Sequence, residues 1–329
     1  MTRSLIFGSL AGLASALLTL TASNGLLGFV LSYLAPLPLL LAGLTHGVLA
    51  VGIAGAVGTV ISGVNGLATG GVFLATFAVP AVILVRQALL ARPAEEAGAG
   101  AGAVSSGALE WYPAGRLLLW LVGWAAGMFA VAVIVAAGHD GGLPGTIQPA
   151  LEKVLLAFQQ VSADTATRNA DPAELAATLA PLLPSAIAFG WLMVMVLNGA
   201  LAQGLAVMLK QNRRPSPQYR AVLLPRVLVI LLAVAIAAAV LLPRGAAYVG
   251  ITMATILAVP YLLQGLAVMH GLAARTAMPG FLLAAFYAVL VAGSLGGFLI
   301  ALVVILGLIE EWAGFRRRLA GAGASREKD

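Results

Sequence analysis

Apolar residues form long runs along almost the whole chain, and polar residues are concentrated in the intervals between them. Eight runs have about 20 residues each, the length that a helix needs to cross about 30 Å of hydrocarbon. They occupy residues 4–22, 26–44, 47–64, 67–85, 117–137, 184–209, 227–242 and 247–270. This pattern predicts eight membrane-spanning helices.

A ninth apolar run, residues 280–309, is too long for one simple span. As a continuous helix it would measure about 45 Å. We favour two shorter passes that turn at Gly293–Gly297, because glycines permit the turn and a hairpin returns the basic tail to the cytoplasm. A single tilted helix is the alternative. The predicted fold class is therefore all-α, a polytopic transmembrane bundle with nine or ten crossings.

The intervals between runs suggest the domain organisation. A linker rich in Gly, Ala and Ser, residues 91–115, separates a four-span bundle at 1–90 from a C-terminal bundle at 116–312, which is followed by a basic tail at 313–329. Within the second bundle, the loop 138–183 carries an amphipathic helix over 147–161. A further helix should begin after Asp171, with Pro172 and Glu174 in its first turn. We favour a surface cover over a substrate lid for this loop.

Composition supports a membrane protein and excludes several other classes. Hydrophobic residues make up 61% of the 329 residues, charged residues 9%, and mean hydropathy is +1.03. The net charge of +6 agrees with basic loops that face a cytoplasmic membrane surface, and no nucleic-acid motif is visible. The absence of cysteine removes disulfides and thiolate chemistry. Loop charge places the N-terminus and the C-terminus in the cytoplasm.

Catalytic chemistry finds little support in the pattern. The carboxylates are expected in loops or tails, and the three histidines lie at span ends or outside the spans. There is no phosphate-binding Gly-Lys-Ser/Thr loop and no zinc-binding HExxH motif. The chain is therefore predicted not to be an enzyme and to need no metal or other cofactor.

Three features of the N-terminal bundle are candidates for ligand contact. Pro36 and Pro38 remove backbone donors inside the second span, so the carbonyls that they release need other partners or line a cavity. A packing kink is the plainer interpretation. His46, which follows this span, is a candidate pH sensor or anion ligand, or an interfacial histidine without a task.

Buried amides are the other ligand candidates. Asn198, Gln203 and Gln264 lie well inside apolar runs, where each amide can bridge two helices or contact a polar ligand. Gln203 and Gln264 each open the same hexapeptide, QGLAVM. The two copies indicate either an internal repeat that places both amides at a similar depth, or coincidence.

Small residues at four-residue spacing occur in the first and third runs, as in Gly8 and Gly12. Such faces let helices approach closely and are expected to pack within the bundle, or else to dock a membrane protein partner.

Three stretches of the chain are distinctive: the Pro-x-Pro stretch with the glycines after it, the LLQGLAVMHGLA span and the ending LGLIEEWAGFRRRL. They resemble the YybS-like family of uncharacterised bacterial polytopic membrane proteins. The matching residues are Pro36, Pro38, Gly43, Gly47, Gly307, Trp312, Phe315, Arg316 and Arg318. Family members usually carry Asp where Glu310 or Glu311 stands. The resemblance implies a bacterial cytoplasmic membrane location, and N-terminal spans similar to the substrate-binding components of energy-coupling-factor transporters.

The tail has a physical interpretation of its own. Trp312 and Phe315 at the interface, with Arg316, Arg317 and Arg318 on lipid phosphates, anchor the last helix or dock a partner.

Together these features predict a protein that binds, or helps to transport, a small neutral or amphipathic molecule. A non-catalytic scaffold that docks partner proteins is the alternative, and a lipid-modifying enzyme ranks third.

Overall fold

A computed structural model describes residues 1–23, 25–93, 109–161, 171–217, 224–292 and 296–313. The chain divides into two compact units. Unit 1 comprises Met1–Leu121 and Met193–Val222, and unit 2 comprises Val122–Leu192 and Leu223–Asp329. The helices Ala114–Ala136 and Leu183–Met208 contribute residues to both units.

Unit 1 is built mainly from N-terminal helices: α1 (Thr2–Leu20), α2 (Gly25–Ser32), α3 (Pro36–His46), α4 (Val48–Gly63), α5 (Leu67–Phe73) and α6 (Val79–Ala88). A π-helical turn, Leu74–Ala78, joins α5 to α6. Two short antiparallel strands follow, β1 (Ala91–Pro93) and β2 (Leu109–Trp111), in which Arg92 pairs with Glu110. Helix α7 (Ala114–Ala136) begins in this unit, and α10 (Leu183–Met208) ends in it.

Unit 2 contains the remaining helices: α8 (Gly142–Val161), α9 (Pro172–Leu179), α11 (Val227–Leu241), α12 (Arg244–Ala273), α13 (Pro279–Val291) and α14 (Gly296–Ala313). The Asp171 side chain accepts a hydrogen bond of 2.9 Å from the Ala173 amide, so the predicted cap of α9 is confirmed. Pro172 occupies the first helical position, where its missing N–H costs nothing.

The predicted fold class is confirmed. Within the described residues, six helices are long and apolar enough to cross a membrane, and three shorter apolar helices accompany them. The six are Thr2–Leu20, Gly25–His46, Leu67–Ala88, Ala114–Ala136, Leu183–Met208 and Gly245–Ala273. The shorter ones are Val48–Gly63, Val227–Leu241 and Pro279–Val291. The chain is an all-α, polytopic helical bundle.

Parts of three expectations fall outside the described residues. They are the interior of the predicted linker (94–108), the centre of the predicted turn in the final run (293–295) and the basic tail (314–329). Phe315, Arg316, Arg317 and Arg318 belong to that tail.

Glycines determine how closely α1 and α4 pack. A Cβ on Gly12 would meet the Ala54 carbonyl oxygen, and one on Gly8 would lie 2.7 Å from the Ala50 carbonyl oxygen. A Cβ on Gly58 of α4 would lie 2.5 Å from the Phe73 ring. Gly8 and Gly12 of α1 therefore pack inside unit 1, as the sequence led us to expect, whereas on α4 a Cβ on Gly52 would meet nothing within 4 Å.

Unit 2 contains a second close pair, α12 and α14. A Cβ on Gly265 would meet the Val303 carbonyl, and a Cβ on Gly307 would meet the Tyr261 carbonyl. Residue numbers rise along one helix as they fall along the other, so α12 and α14 run antiparallel. The run is interrupted between α13 and α14 as expected. The favoured hairpin implies that α14 runs parallel to α12, and the antiparallel register differs from it in that respect.

The glycine contacts give a matched pair of substitutions. Gly12→Ala should lower the unfolding temperature in detergent, because the added methyl group overlaps the α4 backbone at a cost of about 1–3 kcal/mol. Gly52→Ala should leave it unchanged or slightly raised, because nothing lies within 4 Å of a Cβ there and alanine favours the helix by about 0.5–1 kcal/mol. Equal effects at the two positions would contradict the packing described.

Candidate functional site

The second span is broken at its prolines. Helix α2 ends at Ser32 and α3 begins at Pro36. Between them the amides of Leu34 and Ala35 donate to carbonyls three residues back, at 3.0 Å each, instead of four back. The Leu37 amide likewise donates to the Leu34 carbonyl, so the Tyr33 carbonyl is left for another donor. The predicted interruption of this span is therefore present, with Pro36 and Pro38 both in the first turn of α3.

Side chains from two other helices bind the carbonyls at the break. The Ser15 hydroxyl of α1 donates to the Ala35 carbonyl at 2.5 Å. The Asn198 Nδ2 of α10 donates to the Tyr33 carbonyl at 2.8 Å and to the Val194 carbonyl at 2.7 Å. Asn198 is 3% exposed, and its Oδ1 has no hydrogen-bond partner in the described part of the chain. The amide nitrogen thus bridges helices, and the break is part of the packing of unit 1.

Gln203 holds the segment that follows α10. Its Nε2 donates to the Arg214 carbonyl at 3.1 Å, and the Asn212 side chain donates to the same carbonyl at 2.9 Å. Arg214 itself is only 6% exposed. Its Nη1 donates to the carbonyl of Ala88, the last residue of α6, at 3.0 Å, and its Nη2 lies 3.5 Å from the Tyr112 carbonyl. A buried guanidinium therefore caps the C-terminus of α6.

A tight turn directs this segment back towards the bundle. Lys210 has a φ of 55°, the left-handed conformation that a non-glycine residue adopts at a cost of about 1–2 kcal/mol. The Gln211 amide donates to the Ala206 carbonyl and the Lys210 amide to the Val207 carbonyl, both at 2.9 Å. These two bonds form a Schellman motif, which ends α10 and starts the return.

Arg213 caps a different helix. Its Nε donates to the Thr45 carbonyl at 2.9 Å, in the last turn of α3. The Thr45 hydroxyl lies 2.7 Å from Nδ1 of His46, and the His46 ring stacks on Phe7 of α1 with centroids 4.2 Å apart. His46 therefore lies in an arginine-bearing contact between α1, α3 and the segment after α10. His46 was predicted as a site residue, whereas Arg213 and Arg214 were expected only in a basic loop that faces the cytoplasm or docks a partner.

Unit 2 contains a different group of buried polar side chains, on α12. Gln264 is 5% exposed and Tyr261 is 0% exposed. Neither the Gln264 Oε1 nor the Tyr261 hydroxyl has a hydrogen-bond partner among the residues that the structure describes. Pro260 lies inside the helix one position before Tyr261 and removes the amide that would bond the Ile256 carbonyl. The stretch PYLLQ places a proline and a tyrosine close to this glutamine within one apolar span, but only the glutamine was predicted as a site residue.

Glu310 lies on the facing helix and requires a correction. We expected every carboxylate in a loop or tail, but Glu310 is in α14 and only 5% exposed. It is one helical turn beyond Gly307, which contacts Tyr261. The antiparallel register places the Glu310 backbone beside the turn of α12 that precedes Tyr261. Because helical side chains lean towards the N-terminus of their helix, the Glu310 side chain leans back towards Tyr261. Glu311 is also within electrostatic range of the Tyr261 phenol. The expectation failed because the last apolar run continues helically through both glutamates.

The candidate ligand residues thus separate into two groups. Pro36, Pro38, His46, Asn198 and Gln203 belong to unit 1, and Gln264 belongs to unit 2. The two glutamines of the repeated hexapeptide have different surroundings, because Gln203 has a partner and the Gln264 oxygen has none among the described residues. Trp312 is 69% exposed at the end of α14. Over the described ranges, no three His, Asp or Glu side chains are grouped to hold a metal ion.

The long apolar helices, the lipid-compatible exposed faces and the polar groups buried between helices define a multi-span helical membrane protein. The chain belongs to the family described as "predicted membrane protein (DUF2232)", which matches residues 12–310. Comparison with curated proteins and with solved structures gave no match in either case.

The Arg214 contacts predict a specific loss of stability. Arg214→Met should lower the unfolding temperature in detergent, because the charge-assisted bond to the end of α6 is worth about 1.5–3 kcal/mol. Arg275→Met removes an equal charge from an exposed position after α12 and should change stability by less than about 0.5 kcal/mol. A loss of similar size in both variants would mean that net charge, and not the cap, is responsible.

Proposed function

We propose that this membrane protein binds a small molecule at the buried polar groups of α12 in unit 2, in support of its transport. The observation that carries the proposal is the pair of buried groups on α12, the Tyr261 hydroxyl and the Gln264 Oε1, which lack partners among the described residues. A bound molecule that donates hydrogen bonds would satisfy both.

Energetics support a ligand at these groups. A buried polar atom without a partner costs about 1–3 kcal/mol, and the hydrocarbon of a membrane offers no water to compensate it. Phenylalanine and leucine would fill similar volumes at positions 261 and 264 without this cost. Polar side chains that face a bundle interior in a membrane protein are often functional for this reason.

The chemistry of the site suggests the class of ligand. The Gln264 Oε1 accepts hydrogen bonds, the Tyr261 hydroxyl can donate or accept them, and Glu310 supplies a carboxylate on the facing helix. The hydroxyls of Ser185 and Thr252, also in unit 2, are 3.0 Å apart and can bond each other. The proposed ligand is an amphipathic molecule with a hydrogen-bond-donating or cationic head. From the sequence we expected a neutral or amphipathic ligand, because no carboxylate was expected within the helices.

Several expectations from the sequence remain part of this proposal. They are a location in the bacterial cytoplasmic membrane with the N-terminus in the cytoplasm, the YybS-like relationship, and the similarity of the N-terminal spans to energy-coupling-factor binding components. We also propose that the chain is not an enzyme and that lipids are its immediate partners. A scaffold role through α1 and α4 has less support, since Gly8, Gly12 and Gly58 pack against helices of unit 1.

The repeated hexapeptide provides the test, because one substitution can be made in each copy. Gln264→Leu should fold as stably as the parent chain, or more so, and should lose the small molecule that co-purifies with it. Gln203→Leu removes the bond to the Arg214 carbonyl and should lower the unfolding temperature by an amount equivalent to about 1 kcal/mol, without changing the bound molecule. The measurements are untargeted mass spectrometry of extracted small molecules and thermal unfolding.

Tyr261→Phe serves as a second variant at the site, since it removes only the hydroxyl oxygen. It should behave as Gln264→Leu does. If the parent chain and the two site variants carry the same molecules in the same amounts, the proposed binding site is wrong.

The antiparallel register of α12 and α14 predicts the topology of the C-terminal region. The chain has no cysteine, so Thr276→Cys and Asp329→Cys can be labelled singly in intact cells with a membrane-impermeant thiol reagent. The register predicts that only one of the two positions reacts, because α12 and α14 end on opposite sides. The hairpin alternative predicts the same outcome at both, and Thr2→Cys identifies the side of the N-terminus.

A further inference from the structure

Two arginines and a histidine come together at one end of unit 1, and we call Arg3, His46 and Arg213 the basic cluster. Arg3 lies one helical turn before Phe7 on α1, so the two share a face. Phe7 stacks on His46, and the residue before His46, Thr45, holds Arg213 through its carbonyl. Three segments that are distant in sequence thus bring two guanidinium groups and one imidazole to one region.

The Arg213 guanidinium is held in a fixed position. Its Nε donates to the Thr45 carbonyl at 2.9 Å. Gly47, with a φ of 95°, lets the guanidinium approach, since a Cβ there would lie 3.0 Å from Nη1. Within the described ranges the terminal nitrogens of Arg213 have no protein acceptor, and neither Arg3 nor Arg213 forms an ion pair. The guanidinium is therefore oriented by one bond and retains donors for an anion.

The surroundings of the basic cluster are apolar and exposed. Ile6 and Leu10 of α1 are 55% and 57% exposed, and Phe7 is 48% exposed. On a helix that spans a membrane, such a face contacts lipid acyl chains. The cluster thus combines fixed phosphate-binding chemistry with an adjoining surface for hydrocarbon, at the end of a span where headgroups lie.

We propose that the basic cluster binds the phosphate of an anionic phospholipid whose acyl chains lie along the exposed face of α1. Arginine donors match phosphate oxygens in geometry and charge. The Phe7 ring, stacked on His46, separates the headgroup region from the acyl-chain region. This site lies in unit 1 and is independent of the ligand proposed for unit 2.

The test uses the full chain in vesicles of phosphatidylcholine, with and without phosphatidylglycerol. Phosphatidylglycerol should raise the unfolding temperature and should be retained preferentially in native mass spectrometry. Arg3→Gln combined with Arg213→Gln should reduce that preference about tenfold, the equivalent of one charge-assisted hydrogen bond. The control combines Arg86→Gln with Arg275→Gln, which removes two exposed cationic charges elsewhere and should keep the preference.

Two further measurements distinguish a lipid site from a free-anion site and from a loss of folding. Arg3→Gln alone leaves the Thr45 contact intact, so it should reduce the preference even if the double variant is unstable in phosphatidylcholine. Inorganic phosphate should not displace the lipid, because it lacks acyl chains. Displacement by phosphate would identify a free-anion site and overturn the lipid proposal, as would an equal loss of preference in the control.

Discussion

Every backbone carbonyl released inside an apolar bundle needs a donor from the protein itself, and unit 1 depends on how it meets this constraint. At the break before Pro36, Ser15 binds the Ala35 carbonyl and Asn198 binds the Tyr33 carbonyl. The ends of α3 and α6 expose carbonyls that Arg213 and Arg214 bind. Donors from the segment around α10 therefore complete a bundle whose helices come from the first 90 residues. The C-terminal part of unit 1 is needed for the hydrogen bonding of the N-terminal part.

In unit 2, buried polar side chains are left without hydrogen-bond partners among the described residues. Its helices are continuous over longer stretches, and glycines at 250, 265 and 307 bring backbones together. Close packing leaves little space between α12 and α14, and the Tyr261 hydroxyl and the Gln264 Oε1 of α12 are buried without partners among the described residues. In unit 1 the Asn198 and Gln203 amide nitrogens join segments of the bundle, although the Asn198 Oδ1 also has no partner among the described residues. The proposed ligand site lies in unit 2 because Tyr261 and Gln264 are three residues apart on one helix and therefore lie on the same side of it.

Much of the fold could be predicted from sequence because length and hydropathy determine which segments can span a membrane. The break at Pro36 and the cap at Asp171 followed from local chemistry, which acts within a few residues. The roles of Arg213 and Arg214 could not be predicted, since each depends on a carbonyl more than 100 residues away. The different surroundings of Gln203 and Gln264 could not be predicted either, because the local sequence of the two copies is identical. We expected Glu310 outside the last span because hydropathy falls where charged residues begin, but α14 continues through Glu310 to Ala313.

The adjacency of Arg213 and Arg214 has a consequence for how the sequence can vary. Two consecutive residues cap the ends of two different helices, so the number of residues between the end of α10 and these arginines sets which helix each one reaches. Substitution at Lys210 by glycine or asparagine preserves this spacing and suits the left-handed turn. An insertion or deletion of one residue between Met208 and Arg213 shifts both arginines together. The segment between Met208 and Arg213 should therefore tolerate substitutions better than insertions or deletions.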